Sequence, residues 1–208
     1  MVSEVDKNVG QVLALLKEIG QLKNTIVIFA SDNGVHNVGG HDPAYFNSNA
    51  SLRGIKRDLY EGGIHVPFIV SWPKVIDKPR VTDHISTFWD FMPTICDMLD
   101  IPIPQGSDGI SYLPVLENRE WEQVKHDYLY YEFYEQGGKQ SIYKNGWKLV
   151  RLNINKPAKI VEELYYLPKD KCERKNLLLQ YPEKAQELKQ LMSEAHTDSD
   201  QYSWNTNQ

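Results

Sequence analysis

One run of β-branched and aromatic residues, Thr25-Ile26-Val27-Ile28-Phe29-Ala30, most constrains how this chain can fold. The run does not alternate apolar with polar residues, which predicts a strand covered on both faces, as in a parallel sheet. It ends abruptly in Ser31-Asp32-Asn33-Gly34. Open α/β sheets bind ligands beyond the carboxyl ends of their strands, so we expect these polar residues to lie where the fold does its chemistry.

The rest of the first half completes an α/β pattern but provides only one more clear strand. Apolar residues at helical spacing predict a helix over 3–19, a second buried run predicts a strand over 66–72, and a helix follows over 91–99 with Asp90 as its N-cap. Two parallel strands cannot cover themselves on both faces. We therefore expect residues 1–115 to form the edge of a larger α/β sheet.

The second half, residues 116–208, has the pattern of a small antiparallel sheet. Strands are predicted at 128–134, 140–144, 147–153 and 161–166, and Asn145-Gly146 is a strong hairpin signal. Pro182 begins a last helix, predicted over 182–195. The predicted fold is α/β, with the C-terminal part of a sheet domain followed by a four-stranded antiparallel sheet and a C-terminal helix.

Charge and cysteine content exclude several classes of function. The net charge is −5 with scattered cations, which argues against nucleic acid as a partner, and no apolar stretch is long enough to span a membrane. Cys96 and Cys172 are too far apart to indicate a disulfide framework or a zinc site. The pattern leaves the oligomeric state open.

Asp32 and Asn33 are the candidate metal ligands. A carboxylate and an amide oxygen side by side suit a hard divalent cation such as Ca²⁺ or Mg²⁺. Two ligands are too few for a complete site, so others are required. The alternative is that Asp-Asn-Gly merely turns the chain, because these residues are common in turns.

A cluster of cations follows in Leu52-Arg53-Gly54-Ile55-Lys56-Arg57, ahead of the Gly62-Gly63 bend. Three cations within five positions are able to face an anion, although a lone charge cluster is usually a solvated loop. Three histidines, which titrate near neutral pH, lie around the same stretch: His36, His41 and His65.

These blocks resemble the sulfatase family, the arylsulfatase-like members of the alkaline phosphatase superfamily. Thr25–Gly34 resembles the sulfatase strand that ends in the metal-binding Asp-Asn. Leu52–Lys56, continuing to Tyr60-Glu61-Gly62-Gly63 and Val66-Pro67, is similar to the family's Leu-Arg-Gly-x-Lys and Tyr-Glu-Gly-Gly-x-x-Val-Pro block. With the Asn145–Leu149 hairpin, the resemblance spans nearly the whole chain and looks closest to bacterial carbohydrate sulfatases.

The resemblance implies a function for several residues. Residues 1–115 would be the C-terminal portion of the sulfatase catalytic domain, with Asp32 and Asn33 as Ca²⁺ ligands. Lys56 would be catalytic and contact the sulfate group, and His36 would contact the substrate or its sulfate. The turn at 135–138 would help to shape the pocket. The implied substrate is a sulfated carbohydrate or an aryl sulfate, and the intact enzyme would be periplasmic or secreted.

Two departures from the family pattern matter. The family usually has Arg before Val-Pro, where this chain has His65. Neither cysteine lies in the Cys-or-Ser-x-Pro-x-Arg segment that yields the formylglycine nucleophile: Cys96 precedes Asp-Met-Leu and Cys172 precedes Glu-Arg-Lys. We expect formylglycine in an N-terminal part outside this sequence, an incomplete Ca²⁺ site here, and no sulfatase activity from these 208 residues alone.

Three alternatives remain open at this point. The first is a phosphodiesterase or phosphonate hydrolase of the same superfamily; these typically carry Asp-His-Gly at the strand end, where this chain has Asn33. The second is a non-catalytic module that binds sulfated glycans or a partner protein, using the aromatic residues of the C-terminal sheet. The third is a fragment with no function of its own.

Overall fold

The computed structural model describes residues 2–199, 201 and 204 and confirms the predicted fold class. It contains short 3₁₀ turns, six helices and six strands in the part of the chain that it describes. In chain order these are α1 (Val2–Glu18), β1 (Val27–Ala30), α2 (Pro43–Phe46), α3 (Glu61–Ile64), β2 (Phe68–Ser71), α4 (Phe91–Met98), α5 (Leu113–Leu116), β3 (Leu129–Phe133), β4 (Lys139–Lys144), β5 (Trp147–Leu152), β6 (Val161–Tyr166) and α6 (Pro182–Ala195).

The chain forms two compact units that are each discontinuous in sequence. One contains the residues up to Phe29 together with Phe68–His126. The other contains Ala30–Pro67 together with the described residues from Asp127 onward. The predicted boundary at residue 115 separates a portion of a catalytic domain from a C-terminal subdomain. The compact units are defined in a different way, so this boundary stays a prediction.

In the first unit the apolar surfaces are largely uncovered. Strand β1 pairs with β2 in a two-stranded sheet, and neither strand has a buried residue. The expectation that the run at 25–30 is covered on both faces is therefore wrong for this chain, because one neighbouring strand and no packed helix shield it. Helix α1 likewise has no buried residue, and Val5, Val12 and Ile19 are about half exposed. Across the described residues, none of the helices has the length and apolar character needed to cross a bilayer.

Asp90 occupies the N-cap position of α4 as predicted, but its side chain does not cap that helix. A 3₁₀ turn over 88–90 precedes the helix, and Asp90 closes a capping box with Thr87 instead, accepting from the Thr87 N–H at 2.8 Å. Its second carboxylate oxygen accepts from the Ile110 N–H at 2.8 Å and lies 2.8 Å from His126 Nε2. The pattern of a helix start was correct, but the helical turn begins one step earlier.

In the second unit, strands β3 to β6 form an antiparallel meander in the order β3-β4-β5-β6. Alternate residues of the central strands form its core with α6, which covers one face of the sheet. The buried members of this cluster are Ile142, Leu149, Leu164, Ala185, Leu188 and Met192. The predicted strands and the last helix are confirmed to within about two residues at each end.

The opposite face of the sheet is also covered. Val150 and Tyr165 point away from α6 and pack with Tyr60, which belongs to the glycine-rich segment before α3. Because both faces are buried, β5 carries three consecutive buried residues, Lys148, Leu149 and Val150. Residues 53–63 therefore pack on the face of the sheet opposite α6.

Candidate active site at the Asp-Asn loop and the Lys56 turn

Glycines bring the Asp-Asn loop against the segment that carries Lys56. A Cβ on Gly34 would lie 1.9 Å from the Gly62 carbonyl oxygen, and a Cβ on Gly62 would lie 2.3 Å from that of Gly54. Contacts this short are impossible for any other residue. The glycines of Asp-Asn-Gly, Arg-Gly and Glu-Gly-Gly are thus required because three backbone segments touch here.

Backbone hydrogen bonds fix the same arrangement. The Gly34 N–H donates to the Gly63 carbonyl at 2.9 Å, and the Lys56 N–H donates to the Val35 carbonyl at 2.7 Å. Asp32 and Asn33 immediately precede this junction. The predicted metal ligands and the predicted sulfate-binding lysine are therefore on adjoining segments.

The three cations of the cluster have different environments. Arg53 lies over the Tyr60 ring, with Cζ 4.0 Å from the ring centroid, and its guanidinium also donates to Tyr165 Oη and to Glu163. Arg57 is 3.6 Å from the Glu135 carboxylate. Arg53 and Arg57 thus have partners within the protein. Their presence in the cluster is explained without an anion that binds all three cations.

Lys56 is the exception. It is exposed, and its ammonium has no hydrogen-bond or ion-pair partner among residues 2–199, 201 and 204, which the structure describes. A compact cation without a protein partner, next to a loop of oxygen ligands, is suited to bind an oxyanion.

Asp32 and Asn33 fit a hard cation in type but not in number. Asp32 is exposed and Asn33 is half-buried, with the Asn33 carbonyl accepting from Ser31 Oγ at 2.7 Å. Ca²⁺ takes about six to eight oxygen ligands. No group of three or more His, Cys, Asp or Glu side chains suited to a metal is present in the described part of the chain. A cation site built on this pair would require further oxygen ligands.

The three histidines separate in the same way. His36 is exposed, follows Val35 in the chain, and accepts at Nδ1 from the Val38 N–H at 3.0 Å. His41 bonds Ser48 Oγ at 3.1 Å and stacks on Phe46. His65 faces the Glu61 carboxylate at 3.0 Å, which raises the His65 pKa. His36 and His41 also form a T-shaped contact, with ring centroids 6.1 Å apart, whereas His65 belongs to the ion pair with Glu61.

An open groove of about 770 Å³ lies beside the Lys56 turn. Its wall is formed on one side by Gly54 and Ile55 and on the other by Asn37, His41 and Asn49. Its lining combines apolar side chains with amide and imidazole groups, a mixture that is compatible with a hydroxyl-rich ligand.

Sequence reasoning missed the buried charges that support this segment. Lys148 is 1% exposed, and its ammonium lies 2.9 Å from both Glu61 and Glu173. Burial raises the pKa of Glu61, but the opposing effects of His65 and Lys148 are larger and bring it to about 2, while burial raises the pKa of Glu173. The signal in the sequence that could have indicated this burial is a lysine within an otherwise largely apolar predicted strand.

Comparisons with known proteins agree with this geometry. The family model described as Sulfatase matches residues 1–101, and the model described as N-sulphoglucosamine sulphohydrolase, C-terminal, matches residues 55–201. The N-acetylglucosamine-6-O-sulfatase of Bacteroides thetaiotaomicron is 31% identical over 207 residues, which are 93% of this chain and 34% of that protein. Human steryl-sulfatase is 34% identical over 134 residues, 62% of this chain and 23% of that protein.

A solved structure gives the same result for the fold. The protein in question was determined in complex with its substrate D-glucosamine-2-N,6-O-disulfate, and it is 28% identical with a TM-score of 0.75. The alignment covers 100% of this chain and 41% of that one. The chain therefore spans well under half of the proteins that it matches. Since a sulfatase C-terminal model covers most of its length, with the strand-end and lysine motifs in place, the chain belongs to the sulfatase family, as a C-terminal portion of it.

Proposed function

We propose that this chain supplies one side of a sulfuric ester hydrolase site that acts on sulfate esters of carbohydrates in the whole protein. The observation that carries the proposal is the exposed Lys56 ammonium, which has no partner in the described part of the chain, on a segment hydrogen-bonded to Val35, two residues after Asn33. Two of the relatives support a sugar substrate: one is named for N-acetylglucosamine 6-O-sulfate chemistry, and another was solved with a sulfated glucosamine.

The candidate site residues of this chain would have distinct functions. Lys56 would contact a sulfate oxygen and stabilise the charge that develops as the S–O bond breaks; a donor aimed at developing charge contributes about 3–4 kcal/mol. His36 Nε2 would donate to the sulfate or to the sugar. Asp32 and Asn33 would hold a Ca²⁺ ion together with further oxygen ligands. When bound, such an ion offsets the negative charge of the sulfate oxygens.

The proposal assigns no nucleophile to this chain. None of their cysteines or serines begins a Cys-or-Ser-x-Pro-x-Arg segment, so formylglycine would come from elsewhere in the whole protein. We expect the 208-residue chain alone to release no product from a chromogenic aryl sulfate. Turnover that survives purification and is lost on Lys56→Ala would contradict this expectation.

Anion binding by the chain itself tests the site without catalysis. Inorganic sulfate is titrated into the wild-type chain and its variants, with and without Ca²⁺, by calorimetry or NMR. Lys56→Ala should weaken sulfate binding about tenfold, because a charge-assisted hydrogen bond is lost. Arg57→Ala is the matched control: it removes the neighbouring cation, which already faces Glu135, and should leave the affinity nearly unchanged. Equal losses in the two variants would refute a specific function for Lys56.

A further inference from the structure

Lys56 occupies a turn whose conformation is unfavourable for its own sequence. The Asp58 N–H donates to the Ile55 carbonyl at 2.8 Å, which closes a four-residue turn with Lys56 and Arg57 in the middle. Arg57 has φ +79°. Turns with positive φ at the third position favour Gly or Asn, because a Cβ is crowded there. Something outside the turn must therefore hold it in this conformation.

A buried ammonium provides that restraint. Lys139, at the start of β4, has a side chain only 8% exposed. Its Nζ donates to the Arg57 carbonyl at 2.9 Å, to Asp58 Oδ1 at 2.8 Å and to Gln136 Oε1 at 2.7 Å. An ammonium has three N–H donors, so all of them are used on or around this turn.

The carboxylate of Asp58 extends the restraint to the other end of the turn. Asp58 Oδ2 accepts from the Ile55 N–H at 3.0 Å, while Oδ1 accepts from Lys139. One carboxylate thus joins the first residue of the turn to the ammonium from the sheet. Lys56 lies between these two attachments in the chain, and it is exposed.

We propose that Lys139 is a positioning residue for Lys56: from the C-terminal sheet it holds the Ile55–Asp58 turn in its left-handed conformation and so directs the Lys56 ammonium. The consequence for sulfate binding rests on the proposed function, whereas the restraint on the turn does not. The C-terminal sheet would then act on catalysis by supporting the lysine as well as by shaping the pocket.

Amide hydrogen exchange in the 208-residue chain tests the restraint directly. The Lys56 and Asp58 amides, which donate to Val35 and Ile55, report on the turn, and the amides of β5 report on the sheet. Lys139→Met should speed exchange at the two turn amides about tenfold relative to the β5 amides, because a left-handed residue that is no longer held reopens the turn. An unchanged ratio would overturn the proposal.

Two further variants separate positioning from loss of stability. Lys148→Met also removes one buried lysine from the same sheet, and it should accelerate turn and sheet together, leaving the ratio unchanged. Arg57→Gly in the Lys139→Met background should restore the ratio, since glycine adopts positive φ without steric cost. If Lys139→Met does not fold, Gln136→Ala, which removes one of the three acceptors, should shift the ratio in the same direction; no shift would reject the proposal.

Sulfate affinity then links the turn to the site. Lys139→Met should weaken sulfate binding, and Arg57→Gly should recover it in the same background. If wild-type chain and Lys56→Ala bind sulfate equally, the proposed function fails, while the exchange ratio still decides whether Lys139 holds the turn. If the ratio changes as expected but sulfate affinity does not, Lys139 restrains the turn without positioning Lys56, and the proposal is wrong.

Discussion

Replacing Lys148 by Met should be among the most destabilising single substitutions in the second unit. The lysine is 1% exposed and neutralises Glu61 and Glu173, each 2.9 Å from its Nζ. The Glu173 oxygen nearest the lysine has no hydrogen bond of regular geometry, so its stabilisation depends on the charge of the lysine. Met fills the volume but leaves Glu173 buried without a cation, next to Glu61, which keeps His65 as a partner.

The expected loss is about 3–5 kcal/mol at pH 7, the range for breaking a buried pair by removing one partner. The loss should shrink as the pH falls, because burial raises the pKa of Glu173 and a protonated Glu173 no longer needs the cation. Adding Glu173→Gln to Lys148→Met should recover about 2 kcal/mol, since the amide removes the uncompensated charge.

Hydrogen exchange of the β5 amides measures this free energy within the second unit, so unfolding of the first unit does not enter the measurement. Urea unfolding followed by circular dichroism provides the check on the whole chain. A loss below about 1 kcal/mol, the range of an exposed pair, would refute the reasoning. So would a double variant that is no more stable than Lys148→Met alone.

Three other outcomes follow from the structure. Glu61 raises the His65 pKa above its ordinary value of about 6.5. The stability that this ion pair contributes should therefore be present at pH 5–6 and be lost as the pH rises through the raised pKa. His65→Arg should remove that pH dependence, as measured by unfolding from pH 5 to 9. Gly62→Ala should prevent native folding of residues 53–63, since its Cβ would lie 2.3 Å from a carbonyl oxygen. Gly10→Ala is the control: Gly10 has open space around it in α1, so the substitution should stabilise that helix by about 0.5–1 kcal/mol, as measured by circular dichroism. Leu188→Ala should cost about 2–5 kcal/mol in urea unfolding, because Leu188 is fully buried under the sheet.

Much of the local structure was predictable because it depends on local patterns. The alternation and the Asn145-Gly146 turn located the meander, and the helical stripe from Pro182 located α6. The sequence order of Asp-Asn-Gly, Arg-Gly-x-Lys and Glu-Gly-Gly identified the segments that meet at the candidate site. At Asp90 the predicted boundary residue was correct, but the 3₁₀ turn over 88–90, which its side chain caps with Thr87, was not predicted.

Burial was harder to predict, because it depends on what lies next to an element. The run at 25–30 is as apolar as a central strand, yet it is half-exposed with β2 as its sheet partner. Lys139 and Lys148 are charged, yet both are buried, because the faces of β4 and β5 that carry them are covered by residues 53–63. No property of either lysine alone indicates this.

By itself the amino-acid sequence determined the elements, the family and the set of candidate residues, since these are written in spacing and composition over short stretches. Only the tertiary structure decided which of three neighbouring cations is available to an anion. Arg53 is held by Tyr60, Tyr165 and Glu163, the last two more than a hundred positions away, and Lys139 reaches Asp58 across 81 positions. Electrostatic energy depends on distance in space, which sequence separation does not measure.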